Sequence, residues 1–143
     1  MANNSNSWKG FPYPIVKTPG GFFKSKSGAA QIKSDLLILL LTYPGERVML
    51  PEFGTPLQDL IFEPGDNTLI NQARQMIIKS ISRWEPRVRI DTIEVTINPS
   101  AKHLNKNDNL DERFAILNIR ILFNDPDVLT YLQELVLDVP LPS

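Results

Sequence analysis

The sequence predicts an α+β fold: a single domain in which two main helices pack on a small antiparallel β-sheet, with an extended N-terminal arm. Two segments, one beginning near Ser27 and one over 67–84, carry apolar residues at the 3.6-residue spacing of a helix with a buried side. After Pro86 the apolar spacing changes to two, the alternation of a strand with one buried face. At 143 residues the chain is long enough for one domain with a sizeable core.

The predicted arm covers residues 1–26. It mixes Asn, Ser, Gly and Pro with scattered aromatic residues, and this composition has too little periodicity for a core of its own. The run Phe-Pro-Tyr-Pro-Ile over 11–15 is too apolar for a well-solvated tail, so a frayed terminus and an arm that lies on a partner both stay open. We expect the main domain over 27–124 and a C-terminal extension over 125–143.

The first helix begins near Ser27, its expected N-cap, and Pro44-Gly45 ends it. Its apolar residues at helical spacing are Ala29, Ile32, Leu36, Leu39 and Leu40. Consecutive leucines make the helix apolar on more than one side. We therefore expect it to lie centrally, covered by the sheet and by the second helix.

A shaped loop with three prolines and two glycines follows over 44–56. A short helix is predicted over 56–62, and Glu63-Pro64-Gly65 ends it. The residues expected on its inner side are Leu57, Leu60 and Ile61.

The second long helix is predicted over 67–84, with Asp66 or Asn67 as its N-cap. The residues that follow the helical period are Leu69, Ile70, Ala73, Ile77, Ile81 and Trp84. The tripeptide Glu-Pro-Arg over 85–87 ends this helix, because proline restricts both its own φ and the conformation of the preceding residue.

Glu85 and Arg87 are two positions apart in an extended stretch, so we expect both side chains to project together from a stiff, exposed corner. A planar guanidinium suits a partner's carboxylate or carbonyl groups. For these residues alone, a helix stop flanked by surface charges is the competing interpretation.

Two strands are predicted to pair antiparallel, one over 88–98 and one over 113–123. In the first strand the apolar phase slips between Ile90 and Ile93, and a bulge at Asp91-Thr92 would restore one buried face. The polar connection over 99–112 contains the only histidine, His103, which we interpret as a solvated loop residue. Residues 125–143 fit both a helix and an edge strand, and we expect a short helix passing into a strand.

Composition argues against several classes of function. A formal net charge of −1 provides no basic field for phosphate backbones, so nucleic acid is not an expected partner. The chain has no cysteine, and therefore no disulfide framework, thiolate metal site or cysteine nucleophile. Its most apolar run, 36–41, is far shorter than the roughly 20 residues of a membrane span, and its start lacks the pattern of a secretory signal.

A series of short motifs occurs in a recognisable order. A Gly-x-Arg turn (Gly45, Arg47) is followed by an acidic-aromatic-Gly turn (Glu52, Phe53, Gly54), a leucine-bearing short helix, and a long helix that ends in Glu-Pro-Arg. This order over about 28–123 resembles the W / twenty-five-like baseplate wedge family of contractile phage tails, which includes the matching component of type VI secretion baseplates. The arm and the C-terminal extension do not match the family pattern.

The resemblance implies a structural virion protein of a bacteriophage-like tail, assembled in the host cytoplasm, without enzyme activity, cofactor or metal. It implies that Glu85, Pro86 and Arg87 bind the wedge core, supported by the turns around Gly45 and Gly54. Strands 88–98 and 113–123 would present the edge that starts the sheath by strand addition. The implied partners are other baseplate wedge proteins, the sheath protein and tube-initiator or hub proteins, with no nucleic acid and no membrane.

Two other functions stay open. A soluble regulatory binding module is similar in fold to this family and would act by occupying a partner's surface. A glycan hydrolase would need two suitably spaced carboxylates. The candidates are Glu46, Glu52, Glu63 and Glu85. Arg87 beside Glu85 and Arg47 beside Glu46 would favour ionised carboxylates, which is the opposite of what a general acid requires.

Overall fold

The computed structural model describes residues 9–63, 66–101, 114–125 and 128–141. Along the chain the elements are β1 (Lys9–Gly10), β2 (Lys26–Ser27), α1 (Ala29–Leu41), a 3₁₀ helix (Leu57–Phe62), α2 (Asn67–Trp84), β3 (Arg89–Ala101), β4 (Phe114–Asp125) and β5 (Val128–Leu141). The predicted α+β class is confirmed, and both long helices lie where the apolar period places them.

The main sheet of the described part has three antiparallel strands in the order β3-β4-β5. The predicted pairing of the first two strands is confirmed, with Val95 opposite Ile119. Ile119 also lies opposite Leu137 of β5. The central strand is therefore β4, and β3 and β5 are its two edges.

One face of this sheet packs on α1, α2 and the 3₁₀ helix to form one core. The fully buried side chains of the core include Leu36, Leu39, Leu60, Leu69, Ile77, Ile81, Leu117, Ile119, Ile121 and Phe123. The core confirms the expected central position of α1 and the inward positions of Leu57 and Leu60. The side chain of Ile61 lies outside the described residues.

The predicted bulge in β3 is confirmed. Ile90 pairs with Phe123 and Thr92 with Leu122, so Asp91 is the extra residue. The extra residue turns the apolar side chains that follow it to the same face of the sheet as Val88. Val88, Ile93 and Val95 are all buried.

Two sequence-based expectations are wrong. Ser27 is not the N-cap of α1, because it pairs with Lys9 in β2, and the helix starts through Gly28 at φ 62°. The segment after residue 125 is not a short helix passing into a strand: from Val128 it is strand throughout. Ladder bonds to β4 pair the inner edge of its backbone, and alternation buries Leu135, so strand pairing overrides the helical spacing.

The described part of the arm, 9–26, returns on itself. Lys9 and Gly10 pair with Ser27 and Lys26, which places the two ends of this loop side by side at the start of α1. His103 and most of the predicted connection over 99–112 lie outside the described residues.

Candidate functional site

The turns and the corner singled out in the sequence meet at one pocket of about 280 Å³. Its lining residues come from α1, from the loop after α1 and from the end of α2: Asp35, Ile38, Leu39, Arg47, Phe53, Trp84, Glu85 and Arg87. Residues that are up to 52 positions apart in the chain thus share one concave surface.

The Glu-Pro-Arg corner forms one rim of this pocket. The N–H of Glu85 donates the last helical hydrogen bond to the carbonyl of Ile81 at 2.8 Å, and the N–H of Val88 donates back to the carbonyl of Glu85 at 3.1 Å. The expected exposure of this corner is wrong, because Glu85 is only 8% exposed and Arg87 is half-buried. Contacts with α1 cover the side of the corner that would be exposed at the end of an isolated helix.

Arg87 lies between two carboxylates. Its Nε donates to Oε1 of Glu85 at 2.5 Å, and its Nη2 is 3.6 Å from Oδ2 of Asp35. The hydrogen bond to Glu85 is the largest of the effects that raise the pKa of the Arg87 guanidinium. The side chain is therefore a permanently charged group held in one orientation.

Asp35 connects this corner to the arm. Burial raises the pKa of the Asp35 carboxyl, and Glu85 raises it further, whereas the hydrogen bond from Gln31 and the charge of Arg87 oppose the shift. Gln31 Nε2 donates to Asp35 Oδ1 at 2.8 Å and lies 3.2 Å from the carbonyl oxygen of Phe11. Polar contacts thus run without interruption from Phe11 through Gln31, Asp35 and Arg87 to Glu85.

An aromatic and cationic stack forms the opposite wall. The Arg47 guanidinium lies 3.8 Å from the centroid of the Phe53 ring, and Phe53 meets Trp84 edge-to-face at 5.3 Å. Arg83 covers the Trp84 ring at 4.9 Å and forms an ion pair with Glu52. The two turns are thereby attached to the end of α2 by cation–π, aromatic and ionic contacts.

Two glycines shape the loop that carries Arg47 and Phe53. Gly45 has φ 99° and donates its N–H to the carbonyl of Pro51 at 2.7 Å. Gly54 has φ 126°, and a Cβ there would collide with the backbone carbonyl of Thr42. Gly54 therefore allows a close backbone approach that any side chain would obstruct. Between the glycines, Val48 and Met49 are more than 90% exposed.

The sequence model of one family, described as baseplate wedge protein gp25, matches residues 26–121. This match covers more than half of the chain and includes every residue of the pocket. The chain belongs to the baseplate wedge protein gp25 family. The predicted resemblance is therefore confirmed, and membership makes the chain a baseplate component of contractile tail systems.

Two solved structures are similar to this gp25-family chain. A chain of the anti-feeding prophage baseplate, solved by cryo-electron microscopy, superposes with a TM-score of 0.62 at 19% identity, covering 94% of this chain and 86% of that one. A crystal structure from Geobacter sulfurreducens, described as a tail lysozyme, gives a TM-score of 0.60 at 26% identity, covering 79% and 90%. A search of curated proteins found no match.

The sequence did not single out Gln31 or Asp35, although Asp35 lines the pocket and Gln31 donates a hydrogen bond to it. Both are polar residues in the first half of the largely apolar helix α1, and Gln31 is buried. A polar residue among consecutive buried positions signals an internal hydrogen bond, because an unpaired buried polar group is costly. This local signal does not identify the partner. Arg87, which contacts Asp35, lies 52 positions further along the chain.

Within the described residues, three candidate acids of a glycosidase have different surroundings. Glu46 accepts a hydrogen bond from the N–H of Tyr43, Glu52 pairs with Arg83, and Glu63 is exposed at the end of the 3₁₀ helix. In the pocket, both oxygens of Asp35 are in contact with Gln31 and Arg87.

No helix in the described ranges is long and apolar enough to cross a membrane. The same ranges hold no group of three or more His, Asp or Glu residues arranged to bind a metal ion.

Proposed function

We propose that this gp25-family chain is a structural wedge protein that joins the wedge core of a contractile tail to its tube and sheath. The observation that carries this proposal is the convergence of the Gly45 turn, the Gly54 turn and the Glu-Pro-Arg corner on one pocket. The proposal includes assembly in the host cytoplasm and contacts with other wedge proteins, the sheath protein and tube-initiator or hub proteins. It assigns the chain no catalytic activity.

The pocket supports a concave binding surface for the wedge core rather than a protruding corner. Glu85 is buried against Arg87, so the pair orders one rim of the pocket instead of reaching out to a partner. The surface available to a partner is the stack of Arg47 on Phe53, together with the exposed Val48 and Met49 beside it. Arginine and aromatic groups of this kind commonly dominate the energy of an interface.

The pocket assignment is tested by reversing the charge of Arg47. Arg47→Glu removes the cation over Phe53 but disturbs no buried residue, so the variant should fold and fail to enter baseplates. Arg74→Glu is the matched control, because Arg74 is an exposed arginine of α2 outside the pocket. Folding is measured by circular dichroism and incorporation by mass spectrometry of purified particles.

Normal incorporation of a folded Arg47→Glu protein would contradict the pocket assignment. Loss of incorporation by both arginine variants would also contradict it, because a general effect of charge reversal would then explain the result.

The second surface of the proposal is a sheet edge that accepts a strand of the sheath protein. The sequence leaves open which strand of the pair 88–98 and 113–123 is the free edge, and 113–123 is not that edge, because β4 pairs on both sides. Of the two edges, β5 has one register shift, before Leu132, and pairs with β4 in uninterrupted register from Leu132 to Leu141, whereas β3 has register shifts after Ile90 and after Asn98. A regular edge is the better template for an added strand, since bulges disrupt the ladder. We assign strand addition to β5.

This assignment is tested with single prolines in β5 and β3, each at a residue whose backbone N–H faces away from β4. Such a proline leaves the internal ladder intact and removes one donor from the outer edge. The β5 variant should fold and enter baseplates, but sheath should not grow from them, as seen by electron microscopy. The β3 variant should support normal sheath.

If both proline variants fold and both start sheath growth, strand addition is wrong and the chain is a wedge clamp alone. If only the β3 variant blocks growth, the edge assignment moves to β3.

A further inference from the structure

The loop over 9–27, here called the arm loop, has an uneven distribution of charged residues. The proposed wedge function assigns no role to this loop. It contains four lysines, Lys9, Lys17, Lys24 and Lys26, and no acidic residue, whereas the whole chain has a formal net charge of −1. All but its last two residues lie outside the 26–121 match to the gp25 family. The arm loop is therefore a basic feature carried by an otherwise slightly acidic protein.

The base of the arm loop is attached to the domain by specific contacts. Gln31 Nε2 lies 3.2 Å from the carbonyl oxygen of Phe11, and Pro12 is buried. Gly10 packs so closely on Gln31 that a Cβ at this position would lie 2.6 Å from Gln31 Nε2. The start of the arm loop is thus held in one place on α1.

The outer part of the arm loop is a small hairpin, residues 15–24. The N–H of Lys24 donates to the carbonyl of Val16 at 2.8 Å, and Lys17 pairs with Phe23 across the hairpin. Thr18 closes the turn, because its N–H and its Oγ1 lie 2.6 Å and 3.0 Å from the carbonyl oxygen of Phe22. Hydrogen bonds within the hairpin therefore fix its backbone conformation.

Large apolar side chains on the arm loop are exposed. Phe22 is 78% exposed and Ile15 65%, and Phe11, Val16 and Phe23 are also exposed. Lys17 and Phe23, which lie opposite each other, share one face of the hairpin, so the adjacent Val16 and Lys24 share the other. Each face therefore combines an apolar group with a lysine.

We propose that the hairpin 15–24 inserts into an apolar cleft with acidic walls on another protein of the same particle. Two similar faces fit a cleft with two walls better than a flat surface, and lysine on each face matches carboxylates on each wall. A bilayer fits less well, because the tip of the hairpin, Pro19-Gly20-Gly21, carries no large apolar side chain to insert into lipid. Nucleic acid fits less well, because the chain has a formal net charge of −1 and two of the four exposed apolar side chains of the hairpin, Ile15 and Val16, are aliphatic and stack no base.

The test is zero-length carbodiimide cross-linking of assembled particles, followed by mass spectrometry. The reagent joins a lysine amine only to a carboxylate in direct contact, so it reports the proposed chemistry rather than proximity alone. We expect amide links from Lys17 or Lys24 to Asp or Glu of a different protein. Lys79, an exposed lysine of α2, is the matched control and should give no such link to the same cleft.

The apolar part of the proposal is tested with Phe22→Ser, which removes the most exposed aromatic ring of the arm loop. This variant should unfold at the wild-type denaturant midpoint, because Phe22 lies outside the core, and the cross-link yield should fall on the order of tenfold. Full cross-linking by Phe22→Ser would overturn the apolar insertion.

Three other outcomes overturn the proposal. The first is particles that contain the chain but give no arm-loop link to another protein; this leaves the proposed wedge function intact. The second is arm-dependent sedimentation of the purified chain with vesicles of phosphatidylglycerol and phosphatidylcholine, which would assign the arm loop to a membrane. The third is particles that lack the chain altogether, which contradicts the wedge function as well.

Discussion

At the scale of single residues, Gly45 and Gly54 provide a matched pair. Both have positive φ, at 99° and 126°, but a Cβ at Gly45 meets nothing within 4 Å, whereas one at Gly54 collides with the Thr42 carbonyl. Gly45→Ala should lower the free energy of unfolding by about 1–2 kcal/mol, the cost of a left-handed conformation for a residue with a Cβ. Gly54→Ala should cost about 1–3 kcal/mol more, because backbone must also shift.

Urea denaturation of the two glycine variants measures this difference directly. Equal losses in both variants would mean that the approach of Gly54 to Thr42 is not a structural constraint.

A second residue-scale prediction concerns the carboxyl of Asp35, whose pKa burial raises above its ordinary value of 3.8. The folded state therefore holds the Asp35 proton more tightly than the unfolded state does. This contribution to stability is full below pH 3.8 and is lost as pH rises through the raised pKa. The free energy of unfolding of wild type minus that of Asp35→Asn should therefore decrease as pH rises across that window and stay constant above it.

Denaturation of both proteins from pH 3 to pH 7, covering roughly the range over which carboxyl groups titrate, checks this sign. A difference that increases with pH would show that the contact with Arg87 outweighs burial at this carboxyl.

At the scale of elements, β4 shows how one strand separates two environments. Ile119 is fully buried against the helices, and the next residue, Arg120, lies on the outer face between Glu94 and Glu134. Ile119→Ala should lower the free energy of unfolding by about 2–5 kcal/mol, because it leaves a cavity in the core. Arg120→Ala should have a much smaller effect, because water screens exposed ion pairs.

Thermal unfolding of the two β4 variants tests the assigned faces. A larger loss for Arg120→Ala than for Ile119→Ala would place the wrong face of the sheet on the helices.

At the scale of the whole molecule, the question is whether the domain catalyses a reaction or acts by binding other proteins. Purified protein should release no sugar from peptidoglycan at any pH between about 4 and 8, the range in which a tuned carboxylate pair would operate. The physical reason is that Arg83 pairs with Glu52, while Arg87 contacts Asp35 and Glu85. A lysozyme of known activity serves as the positive control, and sugar release abolished by Glu85→Gln would overturn the structural role.

Much of the fold was predictable because the responsible signals are local. Asp66 caps α2 through hydrogen bonds from the N–H groups of Thr68 and Leu69, and Pro86 ends that helix, as the sequence indicates. The slip of apolar phase after Ile90 was enough to locate the bulge at Asp91. The order of the turns and the Glu-Pro-Arg corner was enough to identify the family.

What the sequence by itself determined was therefore the type of α1, α2, β3 and β4 and the residues of the two turns and the corner. Only the tertiary structure decided that β5 is the third strand, that Glu85 is buried and that Asp35 and Gln31 join the arm loop to Arg87. The physical reason is the range of the interactions. Periodicity and capping act over a few residues, whereas strand pairing, burial and ion pairing depend on groups that only the completed fold brings together.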